Sequence, residues 1–199
     1  MKIVCNTHNG SIRYEGGIII LKSKLVTSKS KDINKIKKIF KGSFPKEERM
    51  PFFLMLLLTK IQSMEFISFY DGDTLCGFVY MVSNQNVTFI IYLAVDEELR
   101  SKGYGSCIIS DVQKLYPNNK IVLYIDQSDV EALDKEQRIK RKNFYIRNNF
   151  KESGYLVQST PKVLQEVLVK NGDFIESEFL QALKECSNGM LKANLKKKL

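Results

Sequence analysis

The feature that most constrains this chain is a glycine-containing turn between an apolar strand and an amphipathic helix. The apolar segment VTFIIYLAV, residues 87–95, precedes the turn ELRSKGYGS, and the helical pattern CIISDVQKLY follows it. A short apolar segment, KIVLYID, comes next and predicts a second strand. A strand, a helix and a strand in this order form a right-handed crossover with two parallel strands. The sequence therefore predicts a sheet that contains a parallel pair.

The flanking segments predict antiparallel strands and further helices. KDINKIKKIFKG predicts a helix that stops at Gly42, and a second helix is expected from Pro51 to about Ser63. MEFISFY and TLCGFVYMVS predict two strands joined at Asp71-Gly72-Asp73. The helix after the glycine turn is expected to bury Leu115 and to end at Pro117. Beyond the crossover we expect a charged helix, two strands and a last helix, over about residues 130–148, 155–158, 163–169 and 176–186.

The fold class predicted from this order is α/β (α+β), a mixed, mostly antiparallel sheet with helices on both faces. At 199 residues, one domain over 1–199 is expected, with an N-terminal extension over 1–17 and a C-terminal helical extension over 171–199. The longest apolar run, PFFLMLLL, is far shorter than the ~20 residues of a membrane helix. The N-terminus also lacks an apolar signal region, so we expect a cytoplasmic protein without a membrane partner.

The cysteines and the histidine exclude some kinds of site. The chain has four scattered cysteines and one histidine, His8, so no metal ligand set is expected. A catalytic triad built on histidine is excluded for the same reason. Cys107, on the helix after the glycine turn, is expected to be a small core residue and not a nucleophile.

The net charge of +9 favours an anionic partner, such as nucleic acid, a membrane surface or a phosphate-bearing cofactor. We take the excess as spread along the chain, except for a basic run, Lys196 to Lys198, that is expected to be a solvated tail. A nucleic-acid-binding protein would need exposed aromatic residues on a basic face. The aromatic residues here fall mostly on predicted core faces, which argues against nucleic acid as the partner.

The glycine turn has the chemistry of a loop that binds pyrophosphate. Gly103 and Gly105 permit positive φ and a close approach of the ligand, and N–H groups that open a helix attract anions. Arg100 and Lys102 add positive charge beside them. This chemistry is shared by several families of nucleotide-binding and acyl-CoA-binding proteins.

Two of these families fit the turn poorly. A nucleoside-triphosphate P-loop needs Gly-Lys-Ser/Thr at the helix start, and the chain has none. A dinucleotide-binding turn needs a third glycine where Ile108 stands, and its glycines should follow the strand at once. Asp126 does lie at about the spacing that a ribose-binding acid would need, so the dinucleotide alternative stays open on these residues alone.

A more specific resemblance comes from two motifs together. Arg100-x-x-Gly103-x-Gly105, after a strand ending Leu93-Ala94-Val95, resembles the acyl-CoA-binding motif of the GNAT superfamily of N-acetyltransferases. NFYIRNNF, residues 143–150, is similar to the family's Phe-Tyr-x-x-x-Gly-Phe segment, with Asn149 in place of glycine. Asparagine also adopts the left-handed conformation. The resemblance covers about residues 26–169 and implies a GNAT-like sheet whose central parallel strands splay apart.

The resemblance also implies roles for individual residues. The backbone of Leu93, Ala94 and Val95 would bind the pantetheine arm of acetyl-CoA. Tyr145 would be the general acid that protonates the leaving thiolate. Arg138 would either reach a CoA phosphate or face the solvent. The residues implied in pyrophosphate binding are Arg100, Ser101, Lys102, Gly103, Tyr104, Gly105 and Ser106.

The general base and the acceptor are less constrained. The family often places a carboxylate on the strand before the glycine turn, and VTFIIYL contains none. The remaining candidates are Glu47 and Glu48, between the first two helices, and Tyr92, which would act through water. Glu47 and Glu48 would equally suit the start of a helix, whose dipole they complement. The expected acceptor is a small-molecule or peptide amine.

The predicted function is therefore an N-acetyltransferase. It would transfer an acetyl group from acetyl-CoA to a primary amine by direct attack in a ternary complex, without a metal. The alternative is a non-catalytic sensor or interaction module that has the GNAT fold and binds acyl-CoA. The presence of Tyr145 favours the enzyme.

Overall fold

The computed structural model describes the chain except for residues 1–3, 6–11, 15–16, 61–63, 129–131, 133, 161–162, 188, 190 and 199. The described residues form two compact units, the first from residues 1–81 and 92–117 and the second from 82–91 and 118–199. The predicted fold class is confirmed, since helices accompany a mostly antiparallel sheet with one parallel pair. Within the described ranges, no helix has the length and apolar character needed to cross a membrane.

The first unit contains the first three helices and a run of strands. A small antiparallel sheet in the order β1-β2-β3 comes first, and a second group of strands has the order β7-β6-β5-β4. The strands are β1 (Val4–Cys5), β2 (Ile12–Tyr14), β3 (Gly17–Ile19), β4 (Lys22–Leu25), β5 (Met64–Asp71), β6 (Thr74–Ser83) and β7 (Val87–Val95). The helices are α1 (Ile33–Ser43), α2 (Phe52–Leu58) and α3 (Tyr104–Leu115). Strands β6 and β7 each continue from one unit into the other.

The second unit has the strand order β11-β9-β10-β8-β7. Its further strands are β8 (Lys120–Asp126), β9 (Lys151–Thr160), β10 (Val163–Lys170) and β11 (Leu195–Lys197), and its helices are α4 (Lys135–Arg147) and α5 (Glu176–Ser187). Strands β7 and β8 are parallel, as predicted, with Val87 opposite Lys120 and Ile90 opposite Leu123. The described pairing ends there although β8 continues to Asp126, as expected for strands that splay apart.

Aromatic rings form much of the core of the first unit. Their centroids are 4.8 to 6.3 Å apart and most pairs are tilted or edge-to-face. Such pairs contribute about 0.5–1.5 kcal/mol each beyond the burial of their area. The rings in this aromatic cluster are Phe40, Phe44, Phe52, Phe66, Phe78, Tyr80 and Tyr92.

Helix α1 runs through its predicted stop. It buries Ile36, Ile39 and Phe40 at helical spacing but continues past Gly42 to Ser43. The helix ends because the next residue precedes Pro45, and a residue before proline is restricted to extended conformations. Helix α2 begins after Pro51, as predicted, and ends at Leu58; residues 61–63, where its end was expected, lie outside the described residues.

Two further expectations are wrong. Leu115 is 50% exposed and is not part of the core, because it is the last residue of α3. Lys196 and Lys197 do not form a solvated tail but belong to β11, which pairs with β9, with Lys196 opposite Leu156. The ammonium of Lys198 lies 3.3 Å from the Glu166 carboxylate. Pairing across 40 residues has no local sequence signal, so the basic run alone does not indicate a strand.

Gly77 gives a test of how tightly the first unit is built. A Cβ at residue 77 would lie 2.3 Å from the carbonyl oxygen of Ala94 and 3.1 Å from Ile108. We expect Gly77→Ala to lower the free energy of unfolding by about 1–3 kcal/mol, because the backbone must move. Gly42→Ala is the matched control, since nothing lies within 4 Å and α1 gains about 0.5 kcal/mol. Urea denaturation measures the free energy of unfolding of both variants. Equal effects of the two substitutions would contradict the close approach of the Ala94 carbonyl to residue 77.

Candidate active site

The C-terminal end of strand β7 is held in place by backbone and side-chain hydrogen bonds of Asp96. Its N–H donates to the carbonyl oxygen of Cys76 on β6 at 2.8 Å. Its carboxylate accepts a hydrogen bond from the N–H of Glu98 at 3.3 Å and so caps a short 3₁₀ turn over Glu97–Leu99. The segment between β7 and α3 therefore begins from a fixed point.

The glycine turn has the backbone conformation expected of an anion-binding loop. Ser101 and Gly103 both have positive φ, 62° and 87°, and α3 starts directly after Gly103. The Gly103 carbonyl accepts hydrogen bonds from Ser106 and Cys107 at 3.0 and 3.1 Å, whereas the first N–H groups of a helix have no acceptor within it. Together with the positive end of the helix dipole, these donors suit a phosphate group.

Tyr104 attaches the first turn of α3 to the end of β5. Its hydroxyl donates to the Asp71 carboxylate at 2.8 Å. This hydrogen bond, with a smaller contribution from burial, raises the pKa of Tyr104 to about 12. The tyrosine therefore stays neutral at physiological pH and acts here as a structural donor.

The cations near the turn have different surroundings. The Arg100 guanidinium donates to the carbonyl oxygen of Val95 at 3.4 Å and to the Ser43 hydroxyl at 3.2 Å. Lys102 is exposed on the turn itself. Arg100 thus connects the ends of β7 and α1, and its charge stays beside the turn. Cys107 is buried, as predicted for a core residue.

A salt bridge joins α1 to Asp96, the residue after the end of β7. The Lys35 ammonium lies 2.9 Å from the Asp96 carboxylate. Burial alone would raise the pKa of Asp96, but the hydrogen bonds from Lys35 and from the Glu98 N–H outweigh it and lower that pKa. The hydrogen bond to Asp96 raises the pKa of Lys35 in turn.

Tyr92 fixes the segment between α1 and α2. Its hydroxyl donates to the carbonyl oxygen of Glu48 at 2.7 Å and accepts from the N–H of Met50 at 3.0 Å. Two of the predicted substrate residues, Tyr92 and Glu48, are therefore in contact, through the backbone of Glu48. Glu47 is exposed on the 3₁₀ turn Lys46–Glu48, and neither glutamate lies at the start of α2. Burial raises the pKa of Tyr92.

Tyr145 belongs to the second unit, on helix α4. Its side chain is only 8% exposed and lies between Phe144 and Phe150, with ring centroids 5.0 and 5.4 Å away. Burial raises the pKa of Tyr145 to about 12, with a smaller opposing effect of Arg141. Within the described part of the chain its hydroxyl has no hydrogen-bond partner. The phenol is therefore neutral at physiological pH and available to donate a proton.

Helix α4 is attached to the sheet of its unit by ion pairs that the sequence analysis missed. The Lys142 ammonium lies 2.7 Å from Glu166, which is only 3% exposed, and 2.9 Å from Glu152. Burial lowers the pKa of Lys142, but the hydrogen bonds that its ammonium donates to the two carboxylates outweigh burial and raise that pKa. Since Lys142 is about one helical turn from Tyr145, these pairs help to position the tyrosine. No local motif predicts such a pairing.

Arg138 and Asn149 complete the predicted residues of this unit. The Arg138 guanidinium lies 2.8 Å from the Asp134 carboxylate and donates to the carbonyl oxygen of Gln127 at 3.4 Å. It therefore braces the loop before α4, and its contact with a CoA phosphate stays a prediction. Asn149 has φ of 65°, which confirms the left-handed conformation expected where the family has glycine.

Comparisons with known proteins agree with the resemblance that the sequence motifs indicated. The sequence model of the Acetyltransferase (GNAT) family matches residues 33–134. Among curated proteins, no significant match to the chain was found. A proposed GNAT-family acetyltransferase from Bacteroides thetaiotaomicron has 22% identity and a TM-score of 0.64, over 79% of this chain and 89% of that one.

Two other solved structures are also similar. A GNAT-family acetyltransferase from Elizabethkingia anophelis with acetyl-CoA bound has 14% identity and a TM-score of 0.53, over 75% of this chain and 97% of that one. The ribosomal-protein-S18-alanine N-acetyltransferase from Escherichia coli has 9% identity and a TM-score of 0.54, over 78% and 96%. At these identities the structures establish a shared fold.

The Lys35–Asp96 pair gives a pH-dependent prediction. Because the pKa of Asp96 is lowered in the folded state, its contribution is present above the ordinary pKa of about 4 and is lost as the pH falls through the folded value. We expect Asp96→Asn to lower the free energy of unfolding by about 1 kcal/mol at pH 7, since Lys35 is partly exposed. The difference should shrink as the pH falls below the ordinary pKa of about 4.

The measurement is urea denaturation at several pH values. Glu97→Gln, on the same 3₁₀ turn, is the matched control and should change stability little at any pH. A loss in Asp96→Asn that stays constant from pH 7 to pH 2 would show that the charge pair is not its cause.

Proposed function

Because this chain belongs to the acetyltransferase (GNAT) family, we propose that it is an N-acetyltransferase that transfers an acetyl group from acetyl-CoA to a primary amine. The family match covers residues 33–134, just over half of the chain. The observation that carries the catalytic proposal is the Tyr145 side chain, which is buried and neutral and whose hydroxyl has no partner among the described residues. A protein that only bound acyl-CoA would have no need of such a donor.

The glycine turn supports acetyl-CoA as the co-substrate. The N–H groups from Lys102 to Gly105 would bind the pyrophosphate, with the charges of Arg100 and Lys102 nearby, whereas the N–H of Ser106, expected to join them, already donates to the Gly103 carbonyl. The positive φ angles of Ser101 and Gly103 fit this assignment, because they turn successive N–H groups toward one point. The backbone of Leu93, Ala94 and Val95 would bind the pantetheine arm. A similar structure with acetyl-CoA bound supports the same choice.

Tyr145 would act as the general acid. The neutral amine attacks the acetyl carbonyl carbon, the nitrogen gives up one proton to the general base, the carbon–sulfur bond breaks, and the departing thiolate takes the phenolic proton. The pKa of about 12 keeps the donor fully protonated at neutral pH. A thiol has an ordinary pKa of about 8.5, so proton transfer from the phenol to sulfur is uphill in free energy. The phenol therefore first stabilises the developing negative charge on sulfur by a hydrogen bond and gives up its proton only as the carbon–sulfur bond breaks.

Direct transfer to the amine is supported by the environment of three of the four cysteines, those whose side chains the structure describes. Cys76, Cys107 and Cys186 are all buried, and burial raises the pKa of Cys76 to about 11. A buried, protonated thiol is a poor nucleophile. We therefore propose a ternary complex of enzyme, acetyl-CoA and amine, with no acetylated cysteine in between.

We assign the removal of the amine proton to Glu47 or Glu48. Tyr92 already donates and accepts a hydrogen bond with the backbone next to these residues, which suits it to positioning. Its action as a relay through water stays open as a second route. The competing proposal, a non-catalytic module that binds acyl-CoA, predicts binding without acetylation of any amine.

Substitution of Tyr145 tests the catalytic proposal. We expect Tyr145→Phe to lower kcat about 100-fold, because general acid catalysis is lost, while KM for acetyl-CoA changes by less than about threefold. Tyr155→Phe, in β9 of the same unit, is the control and should keep full activity. Thiol release from acetyl-CoA with a panel of amines gives both constants. Unchanged kcat in Tyr145→Phe would remove Tyr145 from the mechanism.

Calorimetric titration tests the co-substrate. We expect micromolar binding of acetyl-CoA and about 100-fold weaker binding of acetylpantetheine, which lacks the pyrophosphate and loses at least two charge-assisted hydrogen bonds. NADH is the control ligand and should not bind. Binding of NADH in place of acetyl-CoA would instead support a dinucleotide site with Asp126, and binding without acetylation would support the non-catalytic module.

A further inference from the structure

The positive charge of the chain is concentrated in one segment and is not spread as expected. Residues 20–60 contain 11 of the 31 basic residues and only 3 of the 22 acidic ones, a net charge of +8, while the rest of the chain has +1. This basic segment includes α1, α2 and the connection between them. Its acidic residues are Asp32, Glu47 and Glu48. An anion near this segment is therefore attracted from a distance.

Within the basic segment, Arg49 has no hydrogen-bond or ion-pair partner among the residues that the structure describes. Its side chain is half-buried, and its Nε is shut off from solvent with no hydrogen-bond partner among the described residues. The same described residues provide no ion pair for its guanidinium. A buried donor without an acceptor is costly, and such groups in native proteins call for an explanation. Because Nε itself is shut off from solvent, an anion would bind at the terminal nitrogens of the guanidinium, for which the described residues provide no ion pair.

The backbone around Arg49 is rigidly held next to the strand that would bind the co-substrate. Glu48 and Met50, the residues on either side, both bond to the hydroxyl of Tyr92. Tyr92 is buried in the aromatic cluster and directly precedes the Leu93–Val95 backbone. The Arg49 backbone is therefore fixed relative to the segment proposed to hold pantetheine, as a residue that recognises the second substrate must be.

We propose that Arg49 binds a carboxylate of the acceptor, so that the acceptor is an amine that also carries a carboxylate, such as an amino acid. This inference rests on the proposed N-acetyltransferase function and specifies its substrate class. The planar guanidinium matches a carboxylate with two parallel hydrogen bonds. The surrounding lysines accelerate the arrival of the anion, and salt weakens that effect. A phosphate group can accept the same two hydrogen bonds, and the experiment below distinguishes a phosphate ligand from a carboxylate ligand.

The first arm of the experiment measures binding. Calorimetry with the full chain and saturating CoA compares glycine, β-alanine, L-glutamate and L-phenylalanine with their amides, and adds O-phosphoethanolamine as the phosphate probe. We expect at least one carboxylate to bind the wild type at least about tenfold more tightly than its amide. Arg49→Gln should remove this difference, and Arg49→Lys should restore only part of it.

Lys46→Gln is the matched control, because it removes one exposed charge from the same connection. It should change the ratio of carboxylate to amide affinity by less than about twofold. Since the described residues provide no partner for the Arg49 guanidinium, Arg49→Gln should not lower the melting temperature, and a folding defect can be separated from lost recognition. A second arm measures thiol release and its KM for the same amines.

The outcomes separate the two proposals. Arg49-dependent binding of carboxylates without acetylation supports the site and contradicts the enzyme. Acetylation of amines and amides with equal KM, unchanged by Arg49→Gln, supports the enzyme and overturns the site. Preference for O-phosphoethanolamine over every carboxylate, or no Arg49-dependent binding of any carboxylate, also overturns the inference.

Discussion

The close approach of β6 and β7 at Gly77 is the constraint on which the first unit depends. The carbonyl oxygen of Ala94 occupies the place where a side chain of residue 77 would stand. This contact and the hydrogen bond from Asp96 to Cys76 fix the end of β7 directly before the glycine turn. The groups proposed to bind acetyl-CoA in this unit lie in the last residues of β7 and in the turn that follows it. Donors that are already in place lose little conformational freedom on binding, so this rigidity favours the ligand.

Charged side chains that are withdrawn from solvent are paired at some positions of the described structure and unpaired at another. In the second unit, Lys142 is matched by Glu166 and Glu152, and the pairs attach α4 to its sheet. Buried ion pairs contribute little net stability, but they define a position, here that of the helix that carries Tyr145. In the first unit, Arg49 has no such match among the described residues. The paired charge of Lys142 thus lies where we propose that a helix is positioned. The unpaired charge of Arg49 lies where we propose that a substrate is recognised.

Much of the fold could be predicted because its signals are local. Strand β7 coincides with the segment VTFIIYLAV, and β6 and β8 also have their predicted bounds, since an apolar run between turn residues specifies a strand. The conformation of Asn149 was equally readable from a motif of eight residues. The strand at Leu195–Lys197 could not be predicted in this way. A basic run becomes a strand only when a strand distant in sequence, here β9, offers it backbone hydrogen bonds.

The sequence by itself determined the family, the parallel pair and the residue types of the candidate site, because each depends on spacing along the chain. Only the tertiary structure decided the state of those residues. Burial, which depends on neighbours far apart in sequence, raises the pKa of Tyr145 and leaves Nε of Arg49 without water. The contact of Tyr92 with Glu48 and Met50 joins positions more than 40 residues apart. Spacing predicts which groups are available, whereas packing determines their protonation and their partners.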